Sequence, residues 1–178
     1  RMVHLKGPDL VYRAWQEADI DHPLRIAGLG SALGNMTDAH QLGWLDRDSL
    51  RSEMASARAV LFPGRWQEPF GRTAMESAAY GCATITSDRG GLTETFSNSL
   101  ILDSLTVKNL SDFIFSLIKN KKKLKKIQKI NFRNVLHKLN EQVDLIDSIK
   151  HNLNKKINII KNLGPKILHV SNFNEKNN

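Results

Sequence analysis

Along residues 8–102, short apolar runs alternate with stretches of helical spacing. Leu10, Val11, Ala14, Trp15 and Ala18 recur three and four apart, the stripe of an amphipathic helix. Gly7-Pro8-Asp9 supplies its start, with proline in the first turn and a carboxylate at the positive end of the helix dipole. Asp21-His22-Pro23 stops it. Leu24 to Gly28 reads as a short strand running into the loop Gly28-Leu29-Gly30, and His40 to Leu45 as a second strand. A helix through Leu50, Met54 and Ala57 follows, capped by Asp46 or Asp48. Ala59-Val60-Leu61-Phe62-Pro63 is a continuous apolar run, the pattern of a strand covered on both faces. Gly71 to Tyr80 reads as a helix closed by Gly81, Ala83 to Ser87 as a strand, and Ser99 to Leu102 as a short last one. This alternation predicts an α/β layer: one parallel, Rossmann-like sheet with right-handed crossovers and helices on both faces. The loop from Pro63 to Gly71 is expected at the carboxyl end of a central strand.

Beyond residue 105 the spacing is helical throughout. Val107, Leu110, Phe113, Ile114, Leu117 and Ile118 mark one amphipathic helix. A longer pattern runs from about Asn134 to Leu163. There Leu139, Ile146, Leu153 and Ile160 recur every seven residues, and Leu136, Val143 and Ile157 fill the alternate row, broken by Lys150. The seam has heptad form. A long helix packed on its own domain is the simpler reading, ahead of pairing between molecules. The expected organisation is an α/β domain over 1–120, a Lys-rich helical extension over 121–163, and a linker with a truncated strand-like tail over 164–178.

Charge sharpens that division. Residues 1–100 hold 10 Lys+Arg against 12 Asp+Glu, and nine of the ten bases are arginine. Residues 101–178 hold 16 Lys+Arg against 6 Asp+Glu, and fifteen of these bases are lysine. The net charge of +8 therefore belongs to the helical end. Cys82, the single cysteine, excludes an internal disulfide or a cysteine-rich zinc site. No run is long and apolar enough to span a bilayer, and there is no secretory h-region, so a cytoplasmic setting is expected, with room for peripheral contact at the inner membrane face. His4, His22 and His40 have no companions at ligand spacing, so no metal is expected. Cys82, between a helix-ending glycine and a strand, reads as a packing thiol.

Two loops invite a chemical reading. Gly28-Leu29-Gly30 begins like a dinucleotide fingerprint, but Leu33 stands where the third glycine belongs. It reads better as a permissive loop at the carboxyl end of a parallel strand, where α/β sheets place ligands. The richer segment is Arg65-Trp66-Gln67-Glu68-Pro69-Phe70-Gly71-Arg72-Thr73-Ala74-Met75-Glu76. It follows an apolar strand and opens a helix, whose exposed amides and aligned dipoles favour an anion. Glu68 lies in the loop and Glu76 in the second turn. Carboxylates beside an anion site suit a ligand that carries hydroxyls next to phosphates, because they accept hydrogen bonds from hydroxyls. The plain alternative is two acids complementing a helix dipole.

Glu68-Pro69-Phe70-Gly71-Arg72-Thr73-Ala74-Met75-Glu76-Ser77-Ala78-Ala79-Tyr80-Gly81 resembles the Glu-x7-Glu signature of the retaining glycosyltransferases of GT-B fold. Gly43-Trp44-Leu45 and Ala57 to Pro63 resemble the run before that signature. Gly90-Gly91-Leu92-Thr93-Glu94 resembles the Gly-Gly-Leu-Pro-Glu loop after it, with Thr93 for proline, and Arg1 with Lys6-Gly7 resembles the family's Gly-Arg…Lys-Gly stretch. The resemblance covers about residues 1–120 and implies the C-terminal, donor-binding half of that fold. It implies that Arg1 and Lys6 contact the diphosphate of a nucleoside-diphosphate sugar, that the catalytic Glu68 lies by the sugar hydroxyls, and that amides around Phe70 and Gly71 face sugar and phosphate. It further implies that Glu76 binds the ribose hydroxyls. Arg72 and Thr73 are candidates for the same site, Arg72 equally a surface base. The base of the nucleotide would lie near Gly43 and Trp44, although Trp44 reads as a core or edge ring ahead of a stacking platform. Two cations and a helix N-terminus balance the diphosphate, so neither a metal nor another cofactor is implied.

In such enzymes a second, N-terminal domain holds the acceptor. This chain starts inside the phosphate stretch, so it is expected to lack that partner domain and to be inactive alone. Lys166 to Asn174 resembles the first strand and loop of another acceptor-side domain, and an open edge there, with the helical seam, would favour self-association. Two other functions remain open on sequence alone. One is a nucleotide-sugar epimerase of the same fold, since sites rather than folds carry function. The other is a binder of nucleic acid or anionic membrane through the seven lysines between Lys119 and Lys129. That run holds no aromatic ring to stack on bases, which disfavours nucleic acid, whereas lysine clusters attract anionic headgroups.

Overall fold

The computed structural model describes residues 2–34, 36–96, 101–102 and 104–162. Arg1, the linker and the tail expected over 164–178, and residues 99 and 100 of the last expected strand lie outside them. The chain falls into two compact units, Arg1–Lys138 and Leu139–Asn178.

The first unit is built from α1 (Pro8–Ala18), β1 (Arg25–Ala27), β2 (His40–Gly43), α2 (Arg47–Ser56), β3 (Ala59–Phe62), α3 (Arg72–Ala79), β4 (Ala83–Ser87), α4 (Leu92–Thr95), β5 (Ile101–Leu102), α5 (Val107–Lys119) and the start of α6 (Lys121–Asn162). Local chemistry sets these ends. Gly7, in the left-handed region at φ 74°, precedes Pro8 at the start of α1. The Asp46 carboxylate accepts the Ser49 N–H at 2.7 Å and caps α2, so Asp46 rather than Asp48 is the cap. Thr106 caps α5 in the same way, and the Asn120 side chain accepts the Lys123 N–H at 2.9 Å where α6 begins.

All strand pairs are parallel, as expected, but the hydrogen bonds form two groups rather than one sheet. β1 pairs with β2, and β3, β4 and β5 pair in that order. A register shift between Ile26 and Ala27 shortens the first ladder. This corrects the expected single sheet, and it also moves the centre. β4, not β3, is the middle strand of its group and is buried at every residue, whereas β3 is half-buried at its edge. Apolar composition misled here, because the interior strand reads Ala-Thr-Ile-Thr-Ser. Thr84 is paired inside: its hydroxyl lies 2.7 Å from the Ser77 hydroxyl of α3, and the Asn131 amide of α6 bonds the Thr84 backbone on both sides. Those partners offset the cost of burying Thr84, whereas the Thr86 and Ser87 hydroxyls at the carboxyl end of β4 are buried with no hydrogen-bond partner among the described residues.

The main core gathers Leu10, Val11 and Ala14 of α1, Ala74, Met75 and Ala78 of α3, Ile85 of β4, and Leu110, Ile114 and Leu117 of α5, closed by Leu124, Ile127 and Val135 of α6. A smaller cluster of Ile26, Leu33, Met36 and Ala39 fills the β1–β2 side. Cys82 is fully buried with its thiol on the Met54 carbonyl, and burial pushes its pKa up to about 11. α6 is one continuous helix of 42 residues, and the lysine run begins with Lys119 at the end of α5, crosses the junction at Asn120 and continues on the first turns of α6. The heptad positions Leu139, Val143, Ile146, Leu153 and Ile157 are each about half exposed. No described helix is long and apolar enough to cross a membrane.

Candidate functional site

β3 delivers the chain through buried Pro63 and Gly64 into the loop 65–71, and a second segment, residues 4–9, is clasped onto that loop. The Arg65 N–H donates to the Leu5 carbonyl at 2.8 Å. Its guanidinium donates to the His4 carbonyl at 2.7 Å and forks onto both Asp9 carboxylate oxygens at 2.8 Å each. Burial alone would raise the Asp9 carboxyl, but the hydrogen bond and charge of Arg65, with His4 nearby, hold it below its ordinary value of 3.8. Gly7 closes the clasp, because a side chain there would meet the Pro63 carbonyl.

The clasp brings Lys6 to the loop. Its ammonium lies 2.8 Å from the Glu68 carboxylate and 4.7 Å above the centre of the Trp66 ring. Gly90 and Gly91 press on the other side of Glu68 and Pro69. The Gly91 N–H donates to the Glu68 carbonyl at 2.7 Å, and a Cβ on either glycine would collide with the backbone of residues 68–70. Thr93, which stands where the family pattern has proline, turns back to bond the Gly90 carbonyl through its hydroxyl at 3.0 Å.

Gly71 is the N-cap of α3, left-handed at φ 75°, and no side chain caps the helix. A Cβ at Gly71 would strike Leu92, the residue after the glycine pair. The first-turn amides of α3 therefore have no side-chain acceptor, and Gly71 at their head lies against the side chain of Glu68, the partner of Lys6. Glu76 follows one turn later on α3. Arg72 approaches it at 3.9 Å with a side chain 85% exposed, too long and too wet a pair to hold either group firmly. Phe70 and Thr73 are exposed.

The structure thus gathers Lys6, Glu68, Phe70, Gly71, Arg72, Thr73 and Glu76 along one loop and the helix it opens. Gly43 and Trp44 lie at the end of β2, where Gly43 meets the Gly28-Leu29 loop and that loop in turn meets the start of the chain. The Gly28 N–H donates to the Gly43 carbonyl at 2.7 Å, and the Met2 N–H donates to the Leu29 carbonyl at 2.8 Å, so residues 2–7 run from the β1–β2 strand ends to the Glu68 loop. Trp44 is 77% exposed, which removes the core reading of that ring. Arg1 lies outside the described residues. Among the described residues, no cluster of three or more His, Cys, Asp or Glu side chains is placed to hold a metal. Sequence reasoning missed the Arg65–Asp9 fork and the ring of Trp66 under Lys6. The fork joins residues 56 apart, and no local pattern announces such a pair.

The model of the family glycosyl transferases group 1 matches residues 1–134, and the chain belongs to that family. Over 90 residues it is 29% identical to YqgM of Bacillus subtilis, described as an uncharacterized glycosyltransferase; the match covers 49% of this chain and 25% of YqgM. Its fold superposes on Anabaena HepE, solved with UDP and glucose, with a TM-score of 0.70 at 16% identity, over 83% of this chain and 46% of that one. It also superposes on the sucrose-phosphate synthase of Thermosynechococcus elongatus, with a TM-score of 0.69 at 18% identity, over 86% and 44% of the two chains. The fold is therefore that of the GT-B glycosyltransferases, and the chain spans less than half the length of these relatives.

Proposed function

We propose that this chain is the donor-binding part of a retaining glycosyltransferase that draws on a nucleoside-diphosphate sugar. The observation that carries the reading is the Lys6–Glu68 pair at 2.8 Å, set against the uncapped N-terminus of α3 that bears Glu76. A cation and a carboxylate in contact suit one ligand that offers an anion to the first and hydroxyls to the second. Such a ligand replaces one ion pair with two charge-assisted sets of hydrogen bonds. The diphosphate would lie against Lys6 and the α3 amides, with Arg1 as a second cation by family resemblance. The sugar hydroxyls would face Glu68, and the ribose hydroxyls Glu76. When the glycosidic bond to the diphosphate breaks, negative charge grows on the leaving oxygen, where Lys6 and fixed amides stabilise it without a metal. Transfer then requires an acceptor held against the anomeric carbon.

Titration calorimetry with nucleoside diphosphates, in chelator, tests this. Binding that Glu76→Ala weakens about tenfold, the loss of roughly 1.4 kcal/mol from one hydrogen-bonded carboxylate, supports the reading. Equal affinity of wild type and Glu76→Ala would remove Glu76 from the site. An epimerase would instead interconvert the sugar of the donor with no acceptor present.

A further inference from the structure

Between Asp112 and Glu141 the sequence contains no acidic residue, while Lys119, Lys121, Lys122, Lys123, Lys125, Lys126, Lys129, Arg133 and Lys138 all fall there. The structure sorts the start of α6 into two faces. Leu124, Ile127, Asn131 and Val135 are buried against the core. Lys121, Lys122, Lys125, Lys126, Lys129 and Arg133 are exposed on the other side. Phe132 and Leu136, 46% and 48% exposed, share that outer face. At about 100° per residue, Phe132 projects between Lys121 and Lys125, and Leu136 between Lys125 and Lys129. Among the described residues, no carboxylate pairs with the five exposed lysines.

The placement also breaks a local rule. The first turn of α6 carries lysines and no acid, so the charges stand at the positive end of the helix dipole and repel it. Such a cost is offset when an anion settles on the face. At the end of α5, the same pairing of lysine and exposed ring recurs: Lys119 lies over the exposed Phe115 ring at 5.6 Å.

We propose that the outer face of α6, from Lys121 to Leu136, docks on an anionic lipid bilayer, with its lysines among the headgroups and Phe132 and Leu136 at the acyl boundary. A convex helix with basic residues flanking an aromatic and an aliphatic side chain has the form of an interfacial helix. Single-stranded nucleic acid would instead call for a groove with successive stacking rings, and this face offers one ring and a leucine. The inference stands on this face alone and does not depend on the donor site.

The test is co-sedimentation of the 178-residue chain with phosphatidylcholine vesicles and with vesicles that also contain phosphatidylglycerol. Binding should require the anionic lipid, weaken with salt, and fall roughly fivefold for each lysine replaced by alanine. Lys122→Glu with Lys126→Glu and Lys129→Glu should abolish it, with an unchanged circular dichroism spectrum. Phe132→Trp should add a tryptophan emission that shifts to the blue on anionic vesicles only. Equal binding to both vesicle types would overturn the proposal. So would salt-insensitive binding by wild type, or a single-stranded RNA that binds more tightly and displaces the chain from vesicles.

Discussion

Arginine joins distant segments in the first hundred residues, while in the rest most described lysines stand exposed, although Lys123 reaches from α6 to Ser116 and Phe113 of α5. Arg65 forks onto Asp9 with two 2.8 Å bonds, Arg25 meets Glu53 at 2.6 Å, and Arg51 meets Asp48 at 3.2 Å. The planar guanidinium presents several donors in a fixed geometry, so it can pin one segment onto another 56 residues away. On the outer face of α6 the lysines are point charges on flexible stems in an acid-free stretch. They specify a field rather than a geometry. Lys6, the single lysine before residue 100, belongs with the arginines, because it is delivered to Glu68 by the Arg65 clasp. The difference teaches that the kind of base and its partners, more than net charge, tell a positioned cation from a surface one.

The sharpest way to break this contrast is to damage the frame that positions Lys6. Gly71→Val would force a side chain into the left-handed region and into Leu92, and should cost about 3 kcal/mol or more in denaturant unfolding. A loss under 1 kcal/mol would mean that the loop is looser than its contacts imply. Arg65→Ala comes next. It strands a partly buried Asp9 carboxylate and should cost about 2 kcal/mol, while weakening nucleotide binding by releasing Lys6. Unaltered binding in that variant would separate the clasp from the site.

A subtler probe is pH. The Asp9 pKa is depressed in the folded chain. Its contribution is therefore complete above the usual value of 3.8 and is lost as pH falls through the lower folded value. Acid unfolding of Asp9→Asn should be shallower than that of wild type over that window, and parallel curves would argue against the fork. The smallest effect belongs to the other region: Lys125→Ala and Lys129→Ala should leave the thermal midpoint unchanged, in keeping with exposed charges that pair with no carboxylate among the described residues.

Much of this was legible in the residues. The strand–loop–helix from Ala59 to Ala79, the strand at Ala83 to Ser87 and the Asp46 cap follow from local spacing and capping chemistry, which act within a few residues. The family emerged from the Glu68–Glu76 spacing and the Gly90-Gly91 pair. The rest depended on non-local pairing. Composition favoured β3 as the central strand, yet β4 is interior because Ser77 and Asn131 satisfy Thr84 from α3 and α6. The break between the two strand groups, the exposure of Trp44 and the Arg65–Asp9 fork likewise rest on contacts that no window of sequence contains. Leu139, Val143, Ile146, Leu153 and Ile157 keep heptad spacing and stand about half exposed, because periodicity reports a face and not what lies against it.

The central claim is that Lys6 and Glu68 divide one donor between them, the first taking phosphate and the second sugar. Its most direct measurement is calorimetry of Lys6→Ala and Glu68→Gln against both a nucleoside diphosphate and the matching nucleoside-diphosphate sugar. The account predicts that Lys6→Ala weakens both ligands, whereas Glu68→Gln weakens only the sugar-bearing one and leaves the diphosphate as tight or tighter, since it frees Lys6. Equal losses for both ligands in both variants, or no loss in either, would contradict it.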